Sequence, residues 1–460
     1  MNNLRSICLL SFALPLIAAP KVTFSEHIAA IVYEKCGSCH RPGESGPFSL
    51  TNFQEVSRWG KVIVTVTQKR YMPPWHAQPA SVGYRDERRL TDAQIELIQD
   101  WVKQGMPEGD AKKAPAFPAF PKGWQLGEPD LVVKLPKAFH VPASGPDIYR
   151  NFVIPVGLTE DRWIRAIEFR PSAPKVVHHL IAYGDPTGSA RSFEASALAG
   201  FAGQANPRGS TTLALWAGGT QPHYLPEGVA RTFSKGTDLI LQEHFHPTGK
   251  EEVEQTVVGL YFAKSAPERR IIAVQMPVSF GLFAGVDIPA DEKNYSISDS
   301  FTLPIDVEAF GVSAHAHYIG KSMKLTATLP TGEIKTLLWV KDWDFSWQVG
   351  YLFSDFVALP KGTRLDSEVT WDNSSSNLRN PASPPVRVTW GEASNEEMGS
   401  VTLDLRARVA SDAAVLTTAL GERARRDSAA AYQRDPALRE RVQAIGENRS
   451  PVFQAGEKQK

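Results

Sequence analysis

Cysteine is among the scarcest residues in this sequence. The chain has 460 residues but only 3 cysteines, against 11 histidines. A secreted scaffold that is stapled by disulfides needs more cysteine than this, so that class of protein is excluded. The sequence therefore has to be read for what its three cysteines and its more numerous histidines do.

An excess of charge of either sign is also missing. Lys and Arg total 50, and Asp and Glu total 50, so the formal net charge is zero. Because nucleic-acid phosphates require a cationic surface, a nucleic-acid partner is not expected. Hydrophobic residues make up 42% of the chain and charged residues 22%, which excludes wholesale disorder. After the first 19 residues, no apolar run is long enough to predict a membrane span.

Residues 1–19 have the pattern of a secretory signal peptide. Arg5 provides a short positive region, and an apolar run from Ile7 to Ile17 follows it. That run is too short to span a bilayer, and Ala18 and Ala19 provide small residues for cleavage nearby. A buried N-terminal helix is the alternative. The order of charge, apolar run and small residues predicts a periplasmic or secreted protein.

The two cysteines outside this signal form a C-x-x-C-H motif with the residue that follows them. Cys8 would be removed with the signal, whereas Cys36 and Cys39 are followed directly by His40. Two thiols at this spacing can each bond to a heme vinyl group, and the histidine can then bind the iron. A redox dithiol would not need His40, and a zinc site would need further ligands from a region that has no other cysteine. The motif predicts a covalently bound heme c.

Helical patterns surround this motif. Ser25 is a candidate cap for a helix that leads into Cys36, and Thr91 with Gln94 forms a capping-box pattern before a second helical segment. Gly105 suits the end of that segment. Short helices around a heme motif predict a small all-α domain over residues 21–110.

Residues 21–110 resemble the small class I cytochromes c over their whole length. The resemblance rests on the C-x-x-C-H motif and on a Met-Pro segment between the helices. It implies that Met72 is the sixth ligand of the heme iron, since a thioether opposite histidine is a common arrangement. His76 is the rival ligand.

The amino-acid composition changes after residue 110. Residues 111–127 are rich in Pro, Ala and Lys, which predicts a semi-rigid linker. From 128 to 409, short runs of Val, Ile, Phe, Leu and Thr alternate with turn residues, which is typical of β-sandwiches or jelly rolls. Residues 410–460 are rich in Ala, Arg and Glu and predict a helical, then polar, tail. The expected fold is an all-α heme domain, two all-β lobes and this tail.

Two pairs of histidines stand out in the β-rich region. His315 and His317 form an H-x-H pattern, and residues at i and i+2 of a strand project from the same face, so both imidazoles can bind one ion. His178 and His179 are adjacent, so their side chains would point in opposite directions on a regular strand. Joint binding by that pair requires a β-bulge or another irregularity. Either pair alone is more often structural than metal-binding.

Together with two further landmarks, these pairs resemble a known family. From Glu128 to Val409 the chain resembles the type II copper, ascorbate-dependent monooxygenases, such as peptidylglycine α-hydroxylating monooxygenase and dopamine β-monooxygenase. The matching segments are, in the order of the family, His178-His179, Leu225-Pro226-Glu227-Gly228-Val229, Leu241-Gln242-Glu243-His244-Phe245-His246, His315-Ala316-His317-Tyr318-Ile319-Gly320-Lys321 and Glu397-Met398.

This resemblance implies two copper ions in two jelly-roll lobes, 128–266 and 267–409. The implied ligands of the first copper are His178, His179 and His244. Those of the second, catalytic copper are His315, His317 and Met398. The chain departs from the animal enzymes because its copper region has no cysteine, and Gly399 stands where a cysteine commonly follows the methionine ligand.

The expected activity is hydroxylation of a C–H bond of an organic substrate by O2, with electrons fed through the heme from a periplasmic donor. Two other functions stay open. One is a periplasmic heme–copper protein for electron transfer or copper handling, which keeps the ligands but has no hydroxylase activity. The other is a lectin-like or adhesive β-sandwich with a heme appendage, for which the six ligands would be coincidental.

Overall fold

The structure is a computed structural model that describes residues 21–194, 199–202, 210–218, 220–391 and 393–446. The signal peptide expected at residues 1–19 and the end of the tail, 447–460, lie outside this range. The chain divides into two compact units. Among the described residues, the first, helical unit comprises 21–37, Leu50–Pro73 and Leu90–Pro118, and the second, β-rich unit comprises the others. None of the helices in the described part of the chain has the length and apolar character that a bilayer crossing requires.

The helical unit is built from a few short helices. They are a π-helical turn Phe24–Ile28, α1 (Ala29–Lys35), α2 (Phe53–Gln68), α3 (Asp92–Lys103) and a 3₁₀ turn Ala111–Lys113. They pack around Ile28, Val32 and Trp101, whose side chains are fully buried. The unit places Cys36 at the end of α1, where its backbone N–H donates to the carbonyl of Val32.

The helix ends follow local sequence rules in one case and not in another. At α3, the Thr91 hydroxyl accepts from the backbone of Gln94 and the Gln94 side chain accepts from the backbone of Thr91, which confirms the predicted capping box. Gly105 follows with φ of 82°, as a helix-ending glycine does. The prediction for Ser25 was wrong. Thr23 caps the first turn, and Ser25 lies inside it and is buried.

The first β-sandwich precedes residue 263. Its strands are β1 (Leu131–Lys134), β2 (Phe139–Val141), β3 (Ile148–Pro155), β4 (Arg162–Arg170), β5 (Val177–Asp185), β6 (Thr211–Ala217), β7 (Arg231–Phe233), β8 (Asp238–Phe245), β9 (Glu252–Glu254) and β10 (Val257–Phe262). They form antiparallel sheets in the orders β1-β10-β4-β7 and β3-β8-β5-β6, with a separate β2-β9 pair. Inward-facing side chains of both larger sheets, such as Phe152, Leu180, Leu241 and Leu260, make one buried core.

The second sandwich begins at residue 271. Its strands are β11 (Ile271–Met276), β12 (Asp287–Ile288), β13 (Tyr295–Thr302), β14 (Val307–Ala316), β15 (Gly320–Thr328), β16 (Ile334–Val340), β17 (Gly350–Leu359), β18 (Arg364–Trp371), β19 (Val388–Thr389) and β20 (Gly399–Ala407). Its sheets run β11-β20-β14-β17 and β13-β18-β15-β16, beside a β12-β19 pair.

Strand β18 shows why these segments form strands. Leu365, Val369 and Trp371 are buried and alternate with more exposed residues, which is the period of two that a half-buried strand requires. Each such side chain contributes about 1.5–3 kcal/mol by leaving water. The expectation of an all-β region is confirmed, and sandwich cores hold it together without a disulfide.

Two segments of the region 21–110 belong to the β-rich unit. These are residues 38–49 and 74–89. The second lies along the second sandwich, where Ala77 bridges to Val340 and Tyr84 bridges to Phe353. The Tyr84 hydroxyl also donates to the carbonyl of Leu337 at 2.8 Å. Strand pairing therefore determines where the residues after Pro73 lie.

The tail is helical, as its composition predicts. It forms α4 (Ala413–Arg434) and α5 (Ala437–Gly446). Arg423 of α4 is 3% exposed, pairs with Asp299 of β13 and lies over the ring of Phe301. This contact docks α4 on the second sandwich.

Candidate metal centres

Three predicted ligands of the first copper converge in the first sandwich. His178 and His179 lie on β5, and His244 lies on the adjacent β8. One ring nitrogen from each can be chosen so that all three lie within 4.8 Å of one another. The register of β5 against β8 shifts between Val177 and His179, so the two neighbouring histidines are not held to opposite faces of a regular strand. The required irregularity is present at the predicted position.

Neighbouring groups select which ring nitrogen each histidine presents. His244 Nε2–H donates to Asp147 Oδ2 at 2.8 Å, so Nδ1 of His244 carries the lone pair and accepts the Nδ1–H of His179 at 3.3 Å. Nδ1 of His178 is buried and has no hydrogen-bond partner. A buried nitrogen without a partner is costly unless a ligand completes it. Nδ1 of His178 is therefore available to a metal ion, and Nδ1 of His244 carries a lone pair beside Nδ1 of His179.

Burial keeps the imidazoles of His178 and His179 neutral. Desolvation, with a smaller effect of His244, lowers the pKa of His178 to about 4. The pKa of His179 lies well below its usual value, because of burial and of the neighbouring His244, His178 and His315. Neutral imidazole is the form that binds a metal ion. In addition, the ring of Tyr149 stacks on that of His244, with 4.2 Å between centroids and 11° between planes.

The predicted ligands of the second copper lie together in the second sandwich. His315 is near the end of β14 and His317 follows it, with ring centroids 5.3 Å apart. Met398 directly precedes β20, whose Gly399 pairs with Ala316 between the two histidines. Antiparallel pairing thus brings Met398, 81 positions away from His317 in the chain, to the level of both imidazoles. Met398 is 8% exposed.

This second set presents the opposite ring nitrogen. His315 Nδ1–H donates to Gln348 Oε1 at 2.6 Å, and His317 Nδ1–H donates to the carbonyl of Glu396 at 3.0 Å. In both rings Nε2 is then the nitrogen that carries the lone pair. Burial lowers the pKa of His315 to about 4, and burial together with the neighbouring His315 lowers the pKa of His317 to about 3.

A buried carboxyl group ties the methionine segment to the histidine strand. Glu397 is 1% exposed and accepts hydrogen bonds from three donors. They are the backbone N–H of His317 at 2.9 Å, that of Ile319 at 2.9 Å and the indole N–H of Trp371 at 3.0 Å. Burial raises the pKa of Glu397 to about 8 despite these donors. Glu397 fixes the turn after β14 relative to Met398.

Both ligand sets border one cavity of about 1810 Å³ in the β-rich unit. His179 lines it from the first set, and all three residues of the second set line it. Phe280 forms a wall of this cavity 5.3 Å from the ring of His315. Ser279 and Phe280 have φ of 52° and 51°, and such left-handed backbone in residues other than glycine often marks ligand-binding regions.

The heme-motif residues are divided between the two units. Cys36 lies in the helical unit, whereas Cys39 and His40 lie in the β-rich unit. His40 Nδ1–H donates to the carbonyl of Phe48 at 3.0 Å, which leaves Nε2 available. Burial lowers the pKa of His40. Its ring is thus neutral, with the lone pair on Nε2.

The two candidates for the sixth iron ligand also belong to different units. Met72 lies in the helical unit, and its backbone N–H donates to the carbonyl of Val66. His76 lies in the β-rich unit, where its Nδ1 is buried and has no hydrogen-bond partner. Burial lowers the pKa of His76. Met72 as the ligand stays a prediction.

Three further histidines lie outside the two ligand sets. His246 is largely exposed and donates to Asp147, outside the three-histidine cluster, and His223 pairs with Asp86. His140 is exposed on β2. Sequence reasoning missed the groups that orient the ligands. These groups are Asp147, Tyr149, Phe345, Gln348 and Glu397. No short-range pattern marks them. In the sequence, Glu397 stands out only as part of a matching segment, with no role assigned to it.

Comparisons with known proteins add little to this description. No protein-family model matches the chain, and no curated protein matches it. Among solved structures, the chain is similar to PNGase F, a glycosylasparaginase from Flavobacterium meningosepticum, at 10% identity and a TM-score of 0.27, over 60% of this chain and 96% of that one. PNGF-II matches at 9% identity and a TM-score of 0.26, over 60% and 65%. The VP2 subviral particle of infectious bursal disease virus matches at 7% and 0.19, over 61% and 72%.

Proposed function

We propose that this chain is a periplasmic or secreted copper-dependent monooxygenase that hydroxylates a C–H bond of an organic substrate. The observation that carries the proposal is the convergence of the six expected ligands into two sets that border one cavity, with Nδ1 of His178 buried and without a hydrogen-bond partner. The ligand types were expected from sequence alone, whereas their convergence depends on long-range strand pairing.

The donor chemistry fits copper. Imidazole suits copper in either valence, and the soft thioether of Met398 favours Cu(I). Three protein ligands in each set leave coordination positions open, as a catalytic site requires and a closed structural site does not. His178, His179 and His244 would hold the first ion, and His315, His317 and Met398 the second.

The reaction inserts one atom of O2 into a C–H bond and reduces the other atom to water, which consumes two electrons and two protons. When bound, copper would supply one-electron redox chemistry and oxygen activation, and heme would supply one-electron transfer. Burial keeps His178, His179, His315 and His317 neutral, while Asp147 orients His244 in the first set and Gln348 orients His315 in the second. The cavity provides room for an organic substrate beside the second set, with Phe280 as an apolar wall.

The proposal includes a covalent heme at Cys36, Cys39 and His40. Its support is the C-x-x-C-H motif and the hydrogen bond that leaves His40 Nε2 available. Met72 is the proposed sixth ligand, with His76 as the rival. A heme on the same chain would serve as a tethered reductant in place of a diffusing one. A periplasmic electron donor would reduce it again after each electron transfer.

The competing function is heme–copper electron transfer or copper handling without hydroxylation. The large cavity beside the second set favours the hydroxylase, since electron transfer alone needs no space for an organic substrate. Substrate-dependent oxygen uptake separates these two functions.

The experiment is metal analysis and an optical spectrum of protein made with heme-attachment machinery, followed by oxygen-uptake assays on a panel of small aromatic and aliphatic compounds. We expect one heme and two copper ions per chain. His179→Ala and His315→Ala should each remove one copper ion and abolish uptake. His140→Ala, an exposed histidine, should keep both ions and the activity.

Two results would contradict the proposal in different ways. A copper content near zero after reconstitution would end it and favour a β-sandwich of another function. Full copper loading without substrate-dependent uptake would favour the electron-transfer or copper-handling function. The heme relay is tested separately, because anaerobically reduced heme should be reoxidised by O2 faster in wild type than in His178→Ala.

A further inference from the structure

One short loop contacts histidines of both ligand sets. It is residues Trp343–Gln348, here called the bridging loop, and it connects β16 to β17 in the second sandwich. Its side chains face His178 and His179 of the first sandwich as well as His315 and His317 of the second. The loop is therefore a structural link between the two sets.

The base of the bridging loop is fixed by hydrogen bonds. The backbone N–H of Trp343 donates to the carbonyl of Lys321 at 2.9 Å, and its indole N–H donates to the carbonyl of His317 at 3.2 Å. Arg379 donates to the carbonyl of Trp343 at 2.6 Å. These bonds attach the loop to the segment that carries the second ligand set.

A turn holds the tip of the loop. The carboxylate of Asp344 accepts from the backbone N–H of Ser346 at 2.9 Å, and the carbonyl of Asp344 accepts from that of Trp347 at 2.9 Å. Side-chain-capped turns of this kind restrict the backbone. The backbone that carries the side chains of Phe345 and Trp347 is therefore held in one conformation.

Gln348 controls one imidazole directly. It is 3% exposed, and its Oε1 accepts the Nδ1–H of His315 at 2.6 Å. This bond fixes both the ring orientation and the tautomer in which Nε2 carries the lone pair. Removal of the amide would leave the buried Nδ1–H of His315 without its partner.

Phe345 lies between the two sets. Its ring centroid is 6.4 Å from that of His179 and 5.4 Å from that of His317, and the side chain is 6% exposed. Trp347 lies 6.5 Å from His178 in an edge-to-face arrangement. A single phenyl ring thus touches both ligand sets and occupies space that water would otherwise fill.

We propose that the bridging loop is a shared positioning element, which orients ligands in both metal sites and holds the two sites at one fixed separation. This inference rests on the proposed copper function. Gln348 sets the ring of His315, while Phe345 and Trp347 limit the movement of His178, His179 and His317. Because the ring of Phe345 contacts histidines of both sets, its removal alters both sites together.

The test uses copper alone, without substrate or turnover. Anaerobic Cu(I) titration should show that Gln348→Ala weakens the second site by about 10–100-fold, the usual effect of removing an outer partner of a ligand. Gln348→Glu, which keeps the acceptor oxygen, should restore most of the affinity. Loss of affinity in both variants to the same extent would show that the acceptor is irrelevant and would overturn the role of Gln348.

The separation of the sites is read by pulsed EPR on protein loaded with Cu(II) at both sites. Wild type should give one narrow Cu–Cu distance distribution, and Phe345→Ala a broad one. Phe345→Leu, which fills much of the space, should give an intermediate width. Phe353→Ala is the matched control, since Phe353 is equally buried in the second sandwich but contacts neither ligand set.

The outcomes distinguish failure of this inference from failure of the proposed copper function on which it rests. A wild type that binds no copper would overturn both. Two bound ions with the same distance distribution in wild type and Phe345→Ala, or equal broadening in Phe353→Ala and Phe345→Ala, would overturn the bridging loop alone and leave the proposed function standing.

Discussion

At the scale of single residues, His244 presents the opposite ring nitrogen from His315 and His317. Asp147 engages Nε2 of His244, which leaves Nδ1 with the lone pair, whereas Gln348 and the carbonyl of Glu396 engage Nδ1 of His315 and His317, which leaves Nε2 with the lone pair. In each of these three rings a group outside the set decides the tautomer. Such partners raise the basicity of an imidazole ligand as well as orienting it.

Asp147 should therefore determine metal affinity without touching the metal. Asp147→Ala removes the acceptor of His244 Nε2–H, so His244 can rotate or change tautomer. We expect the affinity of the first site for Cu(II) to fall about 10–100-fold. Competition titration with a chelator measures it, in a His315→Ala background that keeps only the first site.

His246→Ala provides the control for this substitution. His246 also donates to Asp147 but is largely exposed and lies outside the cluster. The variant should change the affinity little, because Asp147 still accepts from His244. If His246→Ala weakened copper binding as strongly as Asp147→Ala, His246 would itself be a ligand and the assigned set would be wrong.

At the scale of elements, strand irregularity and strand pairing assemble the sites. The bulge in β5 allows two adjacent histidines to serve one site, and antiparallel pairing of β14 with β20 brings Met398 beside the H-x-H pair. The bulge was predicted, since adjacent residues on a regular strand cannot share a face. The three-donor contact of Glu397 was not, because its partners lie far away in the sequence.

Glu397 should stabilise the junction between β14 and the Met398 segment. Glu397→Ala leaves buried N–H groups of His317, Ile319 and Trp371 without an acceptor. Each such group costs about 1–3 kcal/mol, so the free energy of unfolding should fall by at least that amount. Urea denaturation of the metal-free protein measures it.

Glu397→Gln keeps one acceptor oxygen and nearly the same volume. Because the pKa of Glu397 is raised to about 8, the wild-type group is largely protonated at neutral pH and the amide resembles it. We expect Glu397→Gln to retain most of the stability and of the second-site copper affinity. Equal stability of Glu397→Ala and wild type would show that the hydrogen bonds accepted by Glu397 do not stabilise the fold.

At the scale of the whole molecule, both ligand sets belong to one compact β-rich unit and border one cavity. Metal binding to the folded state alone stabilises it by mass action, by about 2.7 kcal/mol for each site when the free metal is at one hundred times Kd. The two sites should therefore raise the thermal stability of this unit jointly.

This gives a prediction for metal removal. Anaerobic Cu(I) loading should raise the melting temperature of the β-rich unit, and a chelator should reverse the rise. His179→Ala should lose only the part contributed by the first site, while exposed His140→Ala should keep the full rise. No shift in wild type at saturating copper would show that the folded unit has no preference for the metal.

Local chemistry made much of this protein predictable from its sequence. Alternating apolar residues indicate sandwich strands because burial on one face requires a period of two, and Thr91 with Gln94 indicates a helix start because a capping box satisfies its own donors. Spacing alone marked His315 and His317. Ser25 was misplaced because several polar residues near a helix start can cap it, and only the packed structure selects Thr23.

The tertiary structure alone decided what surrounds the ligands. Asp147 lies 97 positions from His244, and Gln348 lies 33 from His315, so no local pattern links them. Sheet register determines which distant side chains reach an imidazole and therefore which nitrogen it offers. The sequence by itself predicted the ligand types and determined the sandwich fold, whereas the orientation of the predicted ligands and the loop between the two sets depend on long-range packing.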